Sequence, residues 1–120
     1  MANLKKALVI GVGAEKGLGA SVCVRFAREG LHVFVAGRTE SSLEQVAAQI
    51  RSAGGTATAI VADATREADV RSLFDQVCAA EGSLDVAVYN AGNNTPGAVL
   101  EMEADYFEQA WRVCCFGGFL

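Results

Sequence analysis

Ala7-Leu8-Val9-Ile10-Gly11-Val12-Gly13-Ala14-Glu15-Lys16-Gly17-Leu18-Gly19-Ala20 decides how the rest of the chain is read. The run opens with apolar residues enough for a buried strand. It then breaks into glycines and resumes as a helix through Ser21, Val22, Arg25 and Phe26. Strand, glycine turn and helix together form the start of a βαβ unit suited to a dinucleotide. A helix start carries unpaired N–H groups and a partial positive charge, so it favours an anion. Glycines let the backbone turn sharply and let a pyrophosphate approach without meeting a Cβ. Spacing narrows the motif. Gly11-x-Gly13 begins like Gly-x-Gly-x-x-Gly, but the third glycine would fall at Lys16. A Walker A loop fails as well, because no Gly-Lys-Ser/Thr follows. The pattern that fits is Gly13-x-x-x-Gly17-x-Gly19.

Outward from this turn, strands and helices alternate. The first strand spans about Lys6 to Val12, and the first helix about Gly17 to Glu29, with Leu18, Val22 and Phe26 at spacing four and Gly30 as a left-handed cap. Leu31 to Ala36 reads as a second strand, rich in β-branched and aromatic residues. His32, the single histidine, falls at the strand's start, away from the ligand-binding end, and is read as structural. Thr39 is expected to N-cap the second helix, whose stripe is Leu43, Val46, Ala47 and Ile50, with Gly54-Gly55 as the stop. Thr56 to Ala62 makes a third strand. Asp63-Ala64-Thr65 is a turn able to cap a third helix, Glu67 to Ala80, with Val70, Leu73, Phe74, Val77 and Cys78 at helical spacing and Gly82 closing it. Leu84 to Tyr89 is the fourth strand, apolar on both faces. A polar loop, Asn90 to Gly97, then leads to a last helix near Ala104 or Asp105 that carries Phe107, Ala110, Trp111 and Cys114 on one face.

This alternation predicts an α/β fold with a doubly wound parallel sheet of Rossmann type, in strand order 3-2-1-4. The Gly turn, Arg38, Asp63 and Asn90 then all fall at carboxyl ends of strands, where ligands bind in such sheets.

Composition bounds the function classes. The chain has 120 residues, one domain by size, with 52% hydrophobic and 20% charged residues. A net charge of −4 and scattered Lys and Arg give no reason to expect nucleic acid. No apolar segment approaches a membrane span, and Glu15 and Lys16 interrupt any signal-peptide core, so a cytoplasmic location is expected. Cys23, Cys78, Cys114 and Cys115 show no metal-ligand spacing and read as buried thiols; no metal site is expected.

The strand-two end bears on the choice of nucleotide. NAD enzymes place an acidic side chain there to accept hydrogen bonds from the ribose hydroxyls. Here Ala36-Gly37 holds that end, and Arg38 follows at once. A guanidinium can grip a 2′-phosphate with paired, charge-assisted bonds. Lys16 can approach the same phosphate from the neighbouring turn. NADP(H), rather than NAD(H), is therefore the expected cofactor.

Gly13-x-x-x-Gly17-x-Gly19, Gly37-Arg38-Thr39, Asp63 after strand three and Asn90-Ala91-Gly92 after strand four resemble the short-chain dehydrogenase/reductase (SDR) family, over essentially the whole chain. The resemblance implies a cofactor site made by Gly13, Lys16, Gly17, Leu18, Gly19, Arg38, Asp63, Ala64, Asn90, Ala91 and Gly92. It implies that Asp63 hydrogen-bonds the adenine amino group, and that Asn90, Ala91 and Gly92 line the adenosine side and help hold the sheet. It further implies an oxidoreductase that moves hydride between nicotinamide and a carbonyl or alcohol substrate, as a homo-oligomer built partly on the last helix.

Departures from the family pattern are specific. Tyr89 replaces the first Asn of Asn-Asn-Ala-Gly. Val12 stands where a Thr is usual, so a hydroxyl contact is lost while backbone N–H groups remain. Cys114 stands where an Asn usually supports a proton relay through water, and a thiol is a poor substitute for an amide. The family's Ser and Tyr-x-x-x-Lys have no counterpart here: Tyr89 and Tyr106 have no lysine four residues on. The expectation is a truncated N-terminal half, residues 1–120, with the remainder of the sheet missing. Alone it would bind cofactor, fold poorly and be inactive, with no catalytic residue of its own. Two other readings stay open, a non-catalytic NADP-sensing module and an interaction protein using the fold as scaffold.

Overall fold

Four short apolar strands pair in parallel in the order β3-β2-β1-β4, as the alternation of elements requires. The computed structural model describes residues 4–93 and 95–120. The strands are β1 (Lys6–Ile10), β2 (His32–Gly37), β3 (Ala57–Val61) and β4 (Leu84–Tyr89). Between them lie α1 (Leu18–Arg28), α2 (Glu40–Ser52) and α3 (Glu67–Ala79). A 3-10 turn, Val99–Glu101, precedes α4 (Ala104–Trp111), which runs on through a π-helical turn, Arg112–Phe116, into a last turn, Gly117–Phe119. No helix among the described residues is long and apolar enough to cross a membrane. The expected N-terminal lead at Met1, Ala2 and Asn3, and Asn94 of the polar loop, lie outside the described residues.

Side chains alternate across the sheet and build a core on each face. Val9, Val33 and Val35 pack with Ala20 and Cys23 of α1 and with Leu43, Val46, Ala47 and Ile50 of α2. Leu8, Phe34, Ala36 and Ile60 pack with Leu73 and Val77 of α3. The stripe expected on α2 is buried at all four positions. That on α1 is displaced. Gly19, Ala20 and Cys23 are buried, while Leu18 is 71% exposed and Val22 and Phe26 are only half-buried. Small residues let α1 lie close over the sheet, so its buried face is the one with the least bulk. On α3, Val70, Leu73 and Val77 are buried but Cys78 is exposed. Of the four cysteines only Cys23 is a buried thiol, and that burial pushes it up to about 12.

The helix ends correct two expectations and keep three. Gly30 and Gly54 sit at φ +89° and +90° after α1 and α2. The N–H groups of Gly30 and Leu31 bond back to Ala27 and Phe26, and those of Gly54 and Gly55 to Arg51 and Ile50, the paired pattern of a left-handed cap. Thr39 occupies the N-cap of α2 without a side-chain cap bond. Asp63 does not cap α3, whose N-cap is Arg66, because its carboxylate is turned to Thr65 instead. Gly82 does not end α3 either; the helix stops when Ala80 turns extended, and Gly82 lies against the Leu4 carbonyl. Buried Lys6 satisfies the end of α3, its ammonium donating to the carbonyls of Val77 at 2.7 Å and Ala80 at 2.8 Å. His32 has the structural place expected, its ring nitrogens bonded to the hydroxyls of Thr56 and Thr58.

Pairing register aligns the strand ends. Ile60 lies beside Ala36, Ala36 beside Ile10, and Ile10 beside Tyr89. The residues that follow each strand therefore leave the sheet along one edge.

Candidate functional site

That edge holds a cavity of about 250 Å³. The β1 exit contributes Gly11, Val12 and Gly13, and the β2 exit Gly37, Arg38 and Thr39. Asp63, Ala64 and Thr65 enter after β3, Asn90, Ala91 and Gly92 after β4, and Val113 from the π-helical turn. Of the residues singled out in the sequence, Gly13, Arg38, Asp63, Ala64, Asn90, Ala91 and Gly92 are thus brought together. Lys16, exposed in the turn, and Gly17, Leu18 and Gly19 at the start of α1 do not line this cavity.

The turn after β1 is fixed by its neighbours. The N–H groups of Gly11 and Val12 both donate to the Ala36 carbonyl at 3.0 Å, so neither is free for an anion. Gly11 sits at φ +97°, and a Cβ there would overlap the Ala91 backbone. Gly13 has nothing within 4 Å of where a Cβ would stand, so the backbone is bare toward the cavity. Val12 is buried in the core shared with α1 and α2, an apolar use of a position where the family pattern has a hydroxyl.

Helix α1 differs from the others at its start. Its N-cap is Gly17, with no side-chain cap bond and no acidic residue in the first turn. The first turns of α2, α3 and α4 carry Glu40, Glu67 with Asp69, and Asp105. An acid there offsets the positive end of a helix. At α1 that end is left for another anion.

Asp63 is organised by Thr65, whose N–H and hydroxyl donate to its Oδ1 at 2.9 and 2.7 Å. The Thr65 hydroxyl is the main reason its carboxyl lies below the ordinary range; Arg38 and Arg66 act in the same direction and burial opposes them. Asp69 reaches back to accept from the Asp63 N–H at 2.8 Å. Asn90 ties β4 to the glycine turn, its N–H donating to the Ile10 carbonyl at 2.7 Å and its Nδ2 to the Gly11 carbonyl at 3.1 Å. Tyr89 donates its hydroxyl to the Val113 carbonyl. Cys114 lies outside the cavity lining, with its Sγ against the Asn93 backbone.

The expected site residues leave out Ile10, Gly11, Val12, Gly37 and Ala62 at the strand ends, and Thr39, Thr65 and Val113, all of which line the cavity. Thr39 belongs to the Gly37-Arg38-Thr39 motif and Thr65 follows Asp63-Ala64 directly, so both are legible as neighbours of site residues. Val113 comes from a helix distant in sequence, and no spacing signals it.

Comparison with known proteins places this architecture. A family profile described as short chain dehydrogenase matches residues 5–120. An uncharacterized oxidoreductase of Mycobacterium tuberculosis is 37% identical over 100 residues, covering 83% of this chain and 38% of the relative. A putative short-chain dehydrogenase/reductase from Burkholderia xenovorans superposes with a TM-score of 0.90 at 31% identity, over 96% of this chain and 47% of that one. An actinorhodin polyketide ketoreductase variant solved with NADPH gives a TM-score of 0.88 at 31% identity, over 97% and 44%. The chain spans less than half the length of the curated relatives it matches. Profile, sequence relatives and fold agree: this chain belongs to the short-chain dehydrogenase/reductase family.

Proposed function

We propose that this chain holds NADP(H) for an oxidoreductase acting on a small carbonyl or alcohol substrate. The bound nicotinamide would supply and accept the hydride. The observation that carries the cofactor choice is the end of β2. Gly37 is buried, a Cβ on it would overlap the Val12 carbonyl, and Arg38 follows as an exposed cation at the cavity. No carboxylate stands at that strand end, and a guanidinium there suits a 2′-phosphate. Lys16, exposed in the turn before α1, is the second cation of this proposal.

The cavity's chemistry fits the rest of a dinucleotide. The acid-free start of α1 and the bare backbone at Gly13 suit the pyrophosphate, which Leu18 and Gly19 would meet with backbone N–H groups, while Gly17, its own N–H bonded to the Ala14 carbonyl at 2.8 Å, would shape the turn. Asp63 and Ala64 would take the adenine, and Asn90, Ala91 and Gly92 the adenosine wall. Acid–base groups for the carbonyl are not among these 120 residues, so the chain alone is proposed to be the cofactor half, inactive by itself. Exposed Phe107, Trp111 and Phe119 on the last helix support a homo-oligomer. The free thiols suit a reducing compartment, the cytoplasm.

The test is a pair of dissociation constants, for NADP and NAD, on full-length protein. Wild type binds NADP more tightly. Arg38→Ala and Lys16→Ala each weaken NADP about ten- to a hundredfold, the equivalent of one hydrogen bond to a charged group, with little change for NAD. Equal or tighter NAD binding by wild type refutes the reading.

A further inference from the structure

The loop Asn90–Gly92 forms one wall of the cavity, yet only its first residue is tied to the sheet, through Ile10 and Gly11. Ala91 and Gly92 make no hydrogen bond to another described residue. Beyond the packing of the Ala91 backbone on Gly11, their shape depends on the residues at either side, Tyr89 and Asn93. Both are fastened, and to consecutive residues of one π-helical turn. Tyr89 donates its hydroxyl to the Val113 carbonyl. The Cys114 Sγ accepts the Asn93 N–H at 3.4 Å and points its own proton toward the Asn93 carbonyl at 3.8 Å.

The surroundings are cut to fit this arrangement. A Cβ at Gly117 would overlap the Tyr89 hydroxyl, so the glycine there admits the tyrosine against the helix. The Tyr89 phenol is a donor at neutral pH, and burial, with Cys114 and Asp63 as lesser causes, raises it further. The thiol, though weak, offers one donor and one acceptor to a single backbone unit, the same pairing that an amide side chain would offer. Tyr89 and Cys114 are also two of the positions where the chain departs from the family pattern, which has Asn at each. They depart together, onto one turn and around one loop.

We infer that Tyr89 and Cys114 are positioning residues, a matched pair that holds the Asn90–Gly92 loop in its cofactor-ready shape by clipping both of its ends to the π-helical turn. The inference rests on the cofactor reading above but is indifferent to the 2′ position. The loop lies on the side of β4, whereas Arg38 leaves β2.

The experiment uses full-length protein as wild type, Tyr89→Phe, Cys114→Ala, Cys114→Ser and the Tyr89→Phe/Cys114→Ala double variant. Dissociation constants for NADP and NAD are measured with amide hydrogen exchange at Asn90 and Asn93, the bonded amides at the two ends of the loop. Tyr89→Phe and Cys114→Ala each weaken both nucleotides by the same factor, about three- to tenfold, the scale of one ordinary hydrogen bond. Cys114→Ser restores most of the loss, because a hydroxyl keeps donor and acceptor. The double variant falls short of the product of the single changes, since one released end already frees the loop. Exchange at Asn90 and Asn93, whose N–H groups are bonded to Ile10 and Cys114, quickens while that of Leu8 and Val9 in β1 stays slow, a pattern that general destabilisation would not give. Unchanged affinities with unchanged exchange overturn the inference, as do fully multiplicative losses. A wild type that prefers NAD refutes the NADP reading alone, and equal weakening of both nucleotides still upholds the fastening. Should neither nucleotide bind, the cofactor reading falls and exchange judges the fastening: unchanged rates overturn it, faster rates uphold it.

Discussion

Asn90 spans from the end of β4 to the glycine turn after β1, its Nδ2 3.1 Å from the Gly11 carbonyl. The bond joins two cavity walls that are 79 residues apart in sequence. Asn90→Ala leaves that carbonyl without this partner in a half-buried place and is expected to cost about 1–3 kcal/mol. Chemical denaturation of full-length protein checks it: the midpoint falls with the slope unchanged.

Gly19 and Gly13 separate packing from ligand contact. A methyl on Gly19 would stand 2.9 Å from the Gly11 carbonyl oxygen, 3.1 Å from Asn90 Nδ2 and 3.2 Å from Val12 Cα. Two of these are backbone atoms that cannot swing aside, so Gly19→Ala is expected to destabilise by about 1–3 kcal/mol. Gly13→Ala meets only open space. It leaves the thermal midpoint of nucleotide-free protein nearly unchanged but weakens nucleotide binding about tenfold or more, because the methyl enters the cavity. Melting curves with and without NADP distinguish the two.

Lys6 is 1% exposed and its ammonium serves the last carbonyls of α3. Lys6→Met keeps much of the volume and loses both bonds. A hydrogen bond to a charged group is worth about 1.5–3 kcal/mol, so a loss of at least that size is expected. Exchange should quicken first at the C-terminal end of α3, where the freed carbonyls lie.

Two groups contribute to the acid side of the stability profile. The His32 imidazole lies below its ordinary 6.5, first through burial and then through Arg51 and Lys6. The unfolded chain thus takes up that proton more readily, so the stability involved is full above 6.5 and is lost as pH falls through the folded value. Asp63, held below its ordinary 3.8 chiefly by the Thr65 hydroxyl, contributes stability above 3.8 that is lost as pH falls through its own lower value. Denaturation midpoints should therefore decline in two stages on acidification. His32→Gln removes the upper stage, and Thr65→Val shrinks the lower.

The outline of the fold could be read from the chain because its signals are local and repeated. The stripe on α2 is four large apolar residues, and the glycine caps need a φ that other residues avoid. The order of the strands followed from parallel pairing and handedness. Where large side chains carry the pattern, periodicity finds the core. On α1 it failed, because Gly19, Ala20 and Cys23 pack by being small. Lys6 escaped notice for a related reason: a lysine reads as surface, and its partners are carbonyls at least 71 residues away. At the cavity, the strand-end residues were visible because a doubly wound sheet puts every strand end on one edge. The contribution of Val113, and the π-helical turn that delivers it, depend on how a distant helix lies across that edge.

The close fit of Gly37 under the Val12 carbonyl constrains how the proposed preference for NADP could be altered. Ala36 is fully buried on the α3 side of the sheet, and position 37 accepts a side chain only if the Gly11–Gly13 turn shifts. An acidic residue introduced at either place would disturb the fold before it met a ribose. Position 38 is exposed and lies next along the chain. If the chain prefers NADP as proposed, a laboratory lineage selected for use of NAD should accumulate its first substitutions at Arg38 and Thr39, leaving the glycine alone until the β1 turn has loosened.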